Sequence, residues 1–213
     1  MLEETIKRQL YTMLTLQNQI NCKIDPDWIT RGRPWYRCIW IECAELMDHA
    51  GYKWWKDGKP DMAQVKLEIV DIWHFMLSQI IEQPPFMGMD DFPRYIYNRF
   101  ANPLPIVAPF DPTETLVSVV CNYKKVPAVS EFLSLMLSVD MTFDDLFVGY
   151  IGKNVLNNFR QNNGYKDGTY HKLWGGREDN EHLVELSELL DSNNYHFPAE
   201  LYRVLELRYK HYF

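Results

Sequence analysis

Two pairs of carboxylates stand where carboxylates are costly. In RCIWIECAELMDHA, Glu42 and Glu45 sit at i and i+3 among Ile39, Trp40, Ile41, Cys43, Ala44, Leu46 and Met47. In QVKLEIVDIWHFMLSQII, Glu68 and Asp71 repeat that spacing among Leu67, Ile69, Val70, Ile72, Trp73, Phe75 and Met76. Residues three apart share a helix face, and a helix apolar almost all round is predicted to lie in the interior. Ionised carboxylates buried there need compensating charge. Few cations are at hand: Arg37 lies about one turn before Glu42, and Lys66, two residues before Glu68, points elsewhere. Protonating the whole set near neutral pH is unusual. A bound divalent cation remains, and an all-oxygen donor set favours Mg²⁺ first, with Mn²⁺ as its substitute. A di-iron centre fits less well, because bundles that hold one use ExxH pairs, whereas the third residue after Glu68 is Asp71 and His74 falls three further on. One ExxE pair alone usually marks a solvated face. Two such pairs on apolar helices joined by a short connection are expected to gather around one centre.

A carboxylate cage holding Mg²⁺ commonly serves a polyphosphate, since the ion keeps open positions for phosphate oxygens. Phosphoanhydride hydrolysis is the matching reaction. Such a site also needs cations for the distal phosphates, and GYIGKNVLNNFRQNNGYK supplies Lys153, Arg160 and Lys166 with Asn154 and Asn157 between them. Lys153, Asn157 and Arg160 stand at i, i+4 and i+7 on one helix face, which is equally the pattern of an ordinary solvated face. Arg160 is the most telling of them, because a guanidinium can hold phosphate bidentately. Beyond it, Gln161 to Asp179 shows no periodicity and is rich in Gly, Asn, Lys and Tyr, which suits a mobile binding loop or a plain surface connection.

The elements that must position these residues are helical. Apolar residues recur at steps of three and four, predicting helices over 3–21, 35–50, 61–82, 113–122, 128–139, 142–162, 179–192 and 197–211. Asp61, the pair Thr142 and Asp145, and Pro198 mark helix starts. Between Gln83 and Pro112 lie seven of the twelve prolines, so this stretch is expected to be a loop or small inserted lobe. With no repeat and no second composition class, residues 1–213 are read as one all-α domain carrying a Pro-rich insertion near 83–112. A net charge of −7 argues against an extended nucleic-acid-binding face, although a metal can still make one acidic pocket attractive to anions. The four cysteines form no CxxC and read as reduced thiols. There is neither a leader pattern at the start nor an apolar run of membrane-spanning length, so a cytoplasmic protein without a membrane partner is expected.

The segments ECAELMDHAGYKWWK, EIVDIWHF and IGKNVLNNFRQNNGYKDGTYHKLWGGREDN, in that order, resemble blocks of the dimeric all-α dUTPases. These belong to the all-α NTP pyrophosphatase superfamily, whose ExxE, spacer, ExxD pattern is met by Glu42, Glu45, Glu68 and Asp71. The resemblance covers most of the chain outside 83–112. It implies an all-α helical bundle with the metal site between two antiparallel helices, a homodimer, and a nucleotide substrate. The implied reaction is Mg²⁺-dependent hydrolysis of dUTP, and by extension dUDP, to dUMP by a metal-activated water attacking the β-phosphorus. In that scheme Glu42, Glu45, Glu68 and Asp71 hold the metal, and Glu42, with Glu45, serves the water. Gln17, Asn18 and Asn21 approach the uracil or sugar edge, while Trp54, His74 and Phe75 line or stack on the nucleoside. Lys56, Lys153, Asn157, Arg160, Tyr165 and Lys166 meet the phosphates. A dCTP pyrophosphatase with the same metal site, or a catalytically silent nucleotide-binding module, is the alternative that these residues leave open.

Overall fold

The computed structural model of the protein describes residues 3–57, 59–83, 88, 90–102, 108–191, 194 and 196–213. Among them the chain forms nine α-helices and a two-strand hairpin, and it divides into two compact units, 1–147 and 148–213.

In the first unit, α1 (Glu3–Ile24) buries Ile6, Leu10, Met13, Gln17 and Ile20, a stripe at helical spacing with one amide in it. Glu3 and Glu4 at its start and Lys23 at its end match the helix dipole. Helix α2 (Trp35–His49) carries the first carboxylate pair and α3 (Met62–Glu82) the second. The Asp61 side chain caps α3 by accepting from the N–H groups of Ala63 and Gln64, both at 3.1 Å. The Asp61 N–H donates to the carbonyl of His49 at 2.9 Å, so the end of α2 meets the start of α3. Glu42, earlier on α2, meets residues later on α3, and this reversed order makes the two helices antiparallel. Deeper in the unit Trp73 of α3 stacks on Phe132, with ring centroids 4.8 Å apart.

Helix α2 is not the interior helix that its composition predicts. It buries only Ile39, Cys43 and Leu46, at i, i+4 and i+7, and leaves Trp40 52% and Ile41 54% exposed. Its apolar residues exceed what its neighbours, α3 and the helix Phe110–Tyr123, cover.

The Pro-rich stretch also differs from expectation. It holds a helix, α4 (Phe92–Ala101), which buries Phe92, Pro93 and Ile96 and packs against α1 and α6 (Val129–Ser138). Pro93 lies in the first turn of α4, and Pro112 in the first turn of α5 (Phe110–Tyr123), where a missing N–H breaks no intrahelical bond. The Arg99 side chain ties α4 to α6 by donating to Ser134 Oγ at 2.7 Å. Pro109 is the N-cap residue of α5, and the prolines at 84, 85, 103 and 105 lie outside the described residues.

Helix α7 (Phe143–Asn162) begins in the first unit and continues into the second. Its start is a capping box as the sequence predicts: Asp145 accepts from the Thr142 N–H and hydroxyl, and its own N–H donates back to Thr142 Oγ1. Beyond α7 the chain builds a hairpin rather than an unpatterned loop. Strands β1 (Leu173–Trp174) and β2 (Arg177–Glu178) pair antiparallel across Gly175 and Gly176, both at positive φ as primed hairpin turns require. Trp174 is fully buried, and its indole N–H donates to the His171 carbonyl at 2.8 Å. Helix α8 (Asp179–Glu188) starts in a capping box formed by Glu178 and Glu181 and ends four residues earlier than the sequence suggests; α9 (Phe197–Tyr212) completes the unit.

Candidate active site and metal centre

Glu42, Glu68 and Asp71 come together as α2 and α3 pair, each offering one oxygen within 4.8 Å of the other two. Packing in the same helix pair forces the charges close and removes water from them. The Glu42 carboxyl is therefore pushed up to about 8, by burial first, then by the charges of Asp71, Glu45 and Glu68 and a hydrogen bond with Glu68. His49 Nε2 lies 3.5 Å from Glu68 Oε1. Glu45, one turn after Glu42, is exposed and is not one of the three; it lines an open hollow with Arg37, Trp40, Ile41, Ala44 and Asp48. Three oxygens converging in a half-buried site that repels its own ionisation fit a hard divalent cation, which replaces the missing positive charge and uses the donor type it prefers.

A second constellation lies between α1 and α3. Gln17 and Asn21 are buried, and Ser78 Oγ accepts from both amides, Gln17 Nε2 at 3.1 Å and Asn21 Nδ2 at 2.9 Å. The Ser78 hydroxyl donates to the carbonyl of His74 at 3.1 Å. Gln17 Nε2 also donates to Asn21 Oδ1 at 3.0 Å, while Gln17 Oε1 faces His74 Nδ1 at 2.8 Å, which sets an Nδ1–H tautomer on His74. Asn18 is exposed on the same helix, where its oxygen accepts from the Trp28 indole N–H at 3.1 Å. Trp28 packs edge-on against Trp35, and Trp35 stacks on Phe75 with centroids 6.4 Å apart. Trp54 and Lys56 stand apart from this group on the α2–α3 connection, where both are exposed and Trp54 meets Trp55 edge to face.

In the second unit Lys153 and Arg160 are buried on α7. Lys153 Nζ donates to Asn180 Oδ1 at 3.2 Å. Arg160 grips Asp179 with two hydrogen bonds, Nε to Oδ2 at 2.8 Å and Nη2 to Oδ1 at 2.7 Å, and reaches Asn157 Oδ1 through Nη1 at 3.2 Å. Burial acts to lower the Arg160 pKa, but the bonds and charge of Asp179 outweigh it and hold the guanidinium above its ordinary value. Tyr165 is exposed, with its ring under the Arg160 guanidinium at 5.9 Å. Lys166 is exposed.

A family model described as dUTPase matches residues 9–165 of the chain. The chain belongs to the all-α dUTPase family. It is accordingly an enzyme, a dUTP diphosphatase, and dUTP hydrolysis is the reaction its site serves. Comparison with curated proteins returned no match. The family match takes in both carboxylate pairs and the α1 amides, runs through the Pro-rich stretch, and ends at Tyr165.

Several residues of these separate clusters escape a reading of the sequence. Ser78 is one hydroxyl in an apolar helix and announces nothing until Gln17 and Asn21 converge on it. Asp179 and Asn180 open α8, where an acidic residue reads as a helix-start signal; only the fold brings them to Arg160 and Lys153. Trp28 and Trp35 flank a connection whose aromatic residues carry no spacing rule.

Proposed function

We propose that this dUTPase requires Mg²⁺, with Mn²⁺ as a substitute, and that it hydrolyses dUDP as well as dUTP, releasing dUMP with phosphate or diphosphate. The observation that carries this reading is the convergence of Glu42, Glu68 and Asp71 within 4.8 Å. These three would hold the divalent cation, with Glu45 joining from the exposed side of α2. When bound, the cation neutralises phosphate charge and lowers the proton affinity of water. Glu42 orients the attacking water by a carboxylate oxygen and takes its proton as the β-phosphorus is attacked in line. Gln17, Asn21 and His74 read the uracil edge, with Asn18 at the margin, and Phe75 and Trp54 supply aromatic surface to the nucleoside. Lys153, Asn157 and Arg160, with Lys56, Tyr165 and Lys166, balance the phosphate charge.

The active species is proposed to be a homodimer, because α2 exposes Trp40 and Ile41 in mid-helix, an apolar face that association would cover. Among the described residues no helix is long and apolar enough to cross a membrane, and the four cysteines are free. Reduced thiols suit the cytoplasm, which is the proposed location. Both compact units are taken to serve this one reaction, as parts of a single catalytic domain.

Product analysis by phosphorus NMR decides the reading, with dUTP, dUDP, dCTP and dTTP offered separately. Turnover of dUTP and dUDP that needs Mg²⁺ and falls by at least about 1000-fold in Asp71→Asn is the expected result. Equal turnover in EDTA would overturn the metal assignment. A preference for dCTP would move the base specificity to the alternative pyrophosphatase, and no turnover of any nucleotide would leave a silent nucleotide-binding module.

A further inference from the structure

A guanidinium has five N–H donors, and most of those on Arg160 are already committed. The edge formed by Nε and Nη2, which would clamp a phosphate bidentately, is occupied by the two oxygens of Asp179 at 2.8 and 2.7 Å. Nη2 also approaches Asn180 Oδ1 at 3.4 Å, and Nη1 rests 3.2 Å from Asn157 Oδ1. Asp179 itself is held from several directions. Its carboxylate is fully buried at the first position of α8, where the helix N-terminus favours negative charge. Its N–H donates to the Lys172 carbonyl at 3.0 Å, and the Tyr170 hydroxyl donates to Oδ2 at 2.8 Å. Turning Arg160 toward a phosphate would leave a buried carboxylate without its charge partner, a strongly unfavourable exchange. The Nη1 edge is therefore the part of the guanidinium that can be offered.

We propose that Asp179 is a positioning residue that aims Arg160, so that the Nη1 edge beside Asn157 is the one left to meet a substrate phosphate, and that the Tyr170 hydroxyl keeps Asp179 in register. This rests on the reading of Arg160 as a phosphate ligand. It replaces a bidentate Arg–phosphate clamp with a single, fixed donor edge whose direction is set before substrate arrives. Preorganisation of this kind acts on charge that builds in the transition state, so its loss appears in kcat more than in KM. A mere rivet between α7 and α8 would lower thermal stability and leave kcat intact in the folded enzyme.

The test uses the full chain with Mg²⁺ and dUTP, comparing Arg160→Ala, Asp179→Asn and the double variant. We expect kcat to fall about 100-fold in each single variant, KM to stay within about threefold, and the double variant to be no slower than Arg160→Ala. Asp179→Asn turning over within about threefold of the native enzyme, whatever its Tm, overturns the positioning role. So does a double variant at least about tenfold slower than Arg160→Ala, because Asp179 would then act independently. Native kcat in Arg160→Ala would instead remove Arg160 from the chemistry, and the proposal with it. If circular dichroism shows that Asp179→Asn does not fold, Tyr170→Phe decides. A kcat loss of about fivefold that vanishes in the Arg160→Ala background supports the proposal, and an equal loss in both backgrounds overturns it.

Discussion

Without a metal, burial and the charges of Asp71, Glu45 and Glu68 push the Glu42 carboxyl up to about 8 from an ordinary value of 4.5, which favours its protonated form near neutral pH. In the unfolded chain the same group ionises near that ordinary value. Between these limits the folded state carries a proton that the unfolded state has lost, so stability must fall as pH rises from about 4.5 to about 8. Discounted for solvent screening and for charge shared among three carboxyls, the loss is about 1–2 kcal/mol, or roughly 3–6 °C in Tm. Asp71→Asn removes the largest of the neighbouring charges and is expected to flatten this slope, as is saturating Mg²⁺; thermal melts from pH 5 to 8.5 measure both. Parallel slopes in the native protein and Asp71→Asn would show that the two carboxylates do not share one field. Ser78→Ala tests the other buried cluster. It strips an acceptor from two buried amides, which costs about 1–3 kcal/mol. With Gln17 and Asn21 proposed to read the base, we expect KM for dUTP to rise roughly tenfold at nearly constant kcat, the result of weakening ground-state and transition-state binding alike. These residues differ in legibility. Carboxylates in apolar helices violate a strong rule and stand out in the sequence, whereas a serine in a helix violates none, and Ser78 acquires meaning only from partners 57 and 61 residues away.

At the level of the elements, helices with two independent signals were legible and those with conflicting signals were not. Helix α7 has both its Thr142–Asp145 capping box and its apolar periodicity, and it forms over nearly the expected span. Helix α4 has an apolar face, but Pro93 argues against a helix unless it is assigned to the first turn, and the sequence alone does not say where that turn begins. The hairpin was hidden for another reason: each strand is only two residues long, too short for alternation to show. Its turn offers a direct comparison of adjacent glycines. A Cβ on Gly175, at φ +57°, would lie 2.5 Å from a Tyr212 ring carbon, whereas one on Gly176, at φ +86°, meets nothing within 4 Å. Gly176→Ala should cost only the left-handed backbone penalty, about 1 kcal/mol. Gly175→Ala adds displacement of the aromatic ring and should cost about 2–4 kcal/mol. Denaturant titration followed by Trp fluorescence measures the difference, and equal midpoints for the two variants would mean that Tyr212 yields freely.

For the molecule as a whole, the open question is what covers α2. Composition marks this helix as interior, and a single chain leaves Trp40 and Ile41 more than half exposed while burying only Ile39, Cys43 and Leu46. Both observations hold if α2 is an interior helix of an assembly, with one face closed by its own chain and the other by a second copy. The hollow bounded by Arg37, Trp40, Ile41, Ala44, Glu45 and Asp48 has the mixture such a face needs, an apolar centre with charges of both signs around it. A two-fold contact would repeat the same patch on both copies, so each substitution there acts twice. Ile41→Asp is therefore expected to weaken association by at least about 100-fold and to give a monomer in sedimentation velocity at micromolar concentration. Glu42, Glu68 and Asp71 are set by packing of α2 on α3 within one chain, so Mg²⁺ binding by the monomeric variant should persist, measured by calorimetry. Glu45 shares its exposed face with Ile41, which gives the experiment a second reading. If dissociation also weakens Mg²⁺ binding, the partner fixes Glu45 toward the ion, and if the dimer survives Ile41→Asp, the interface lies on another face and α2 remains open to solvent.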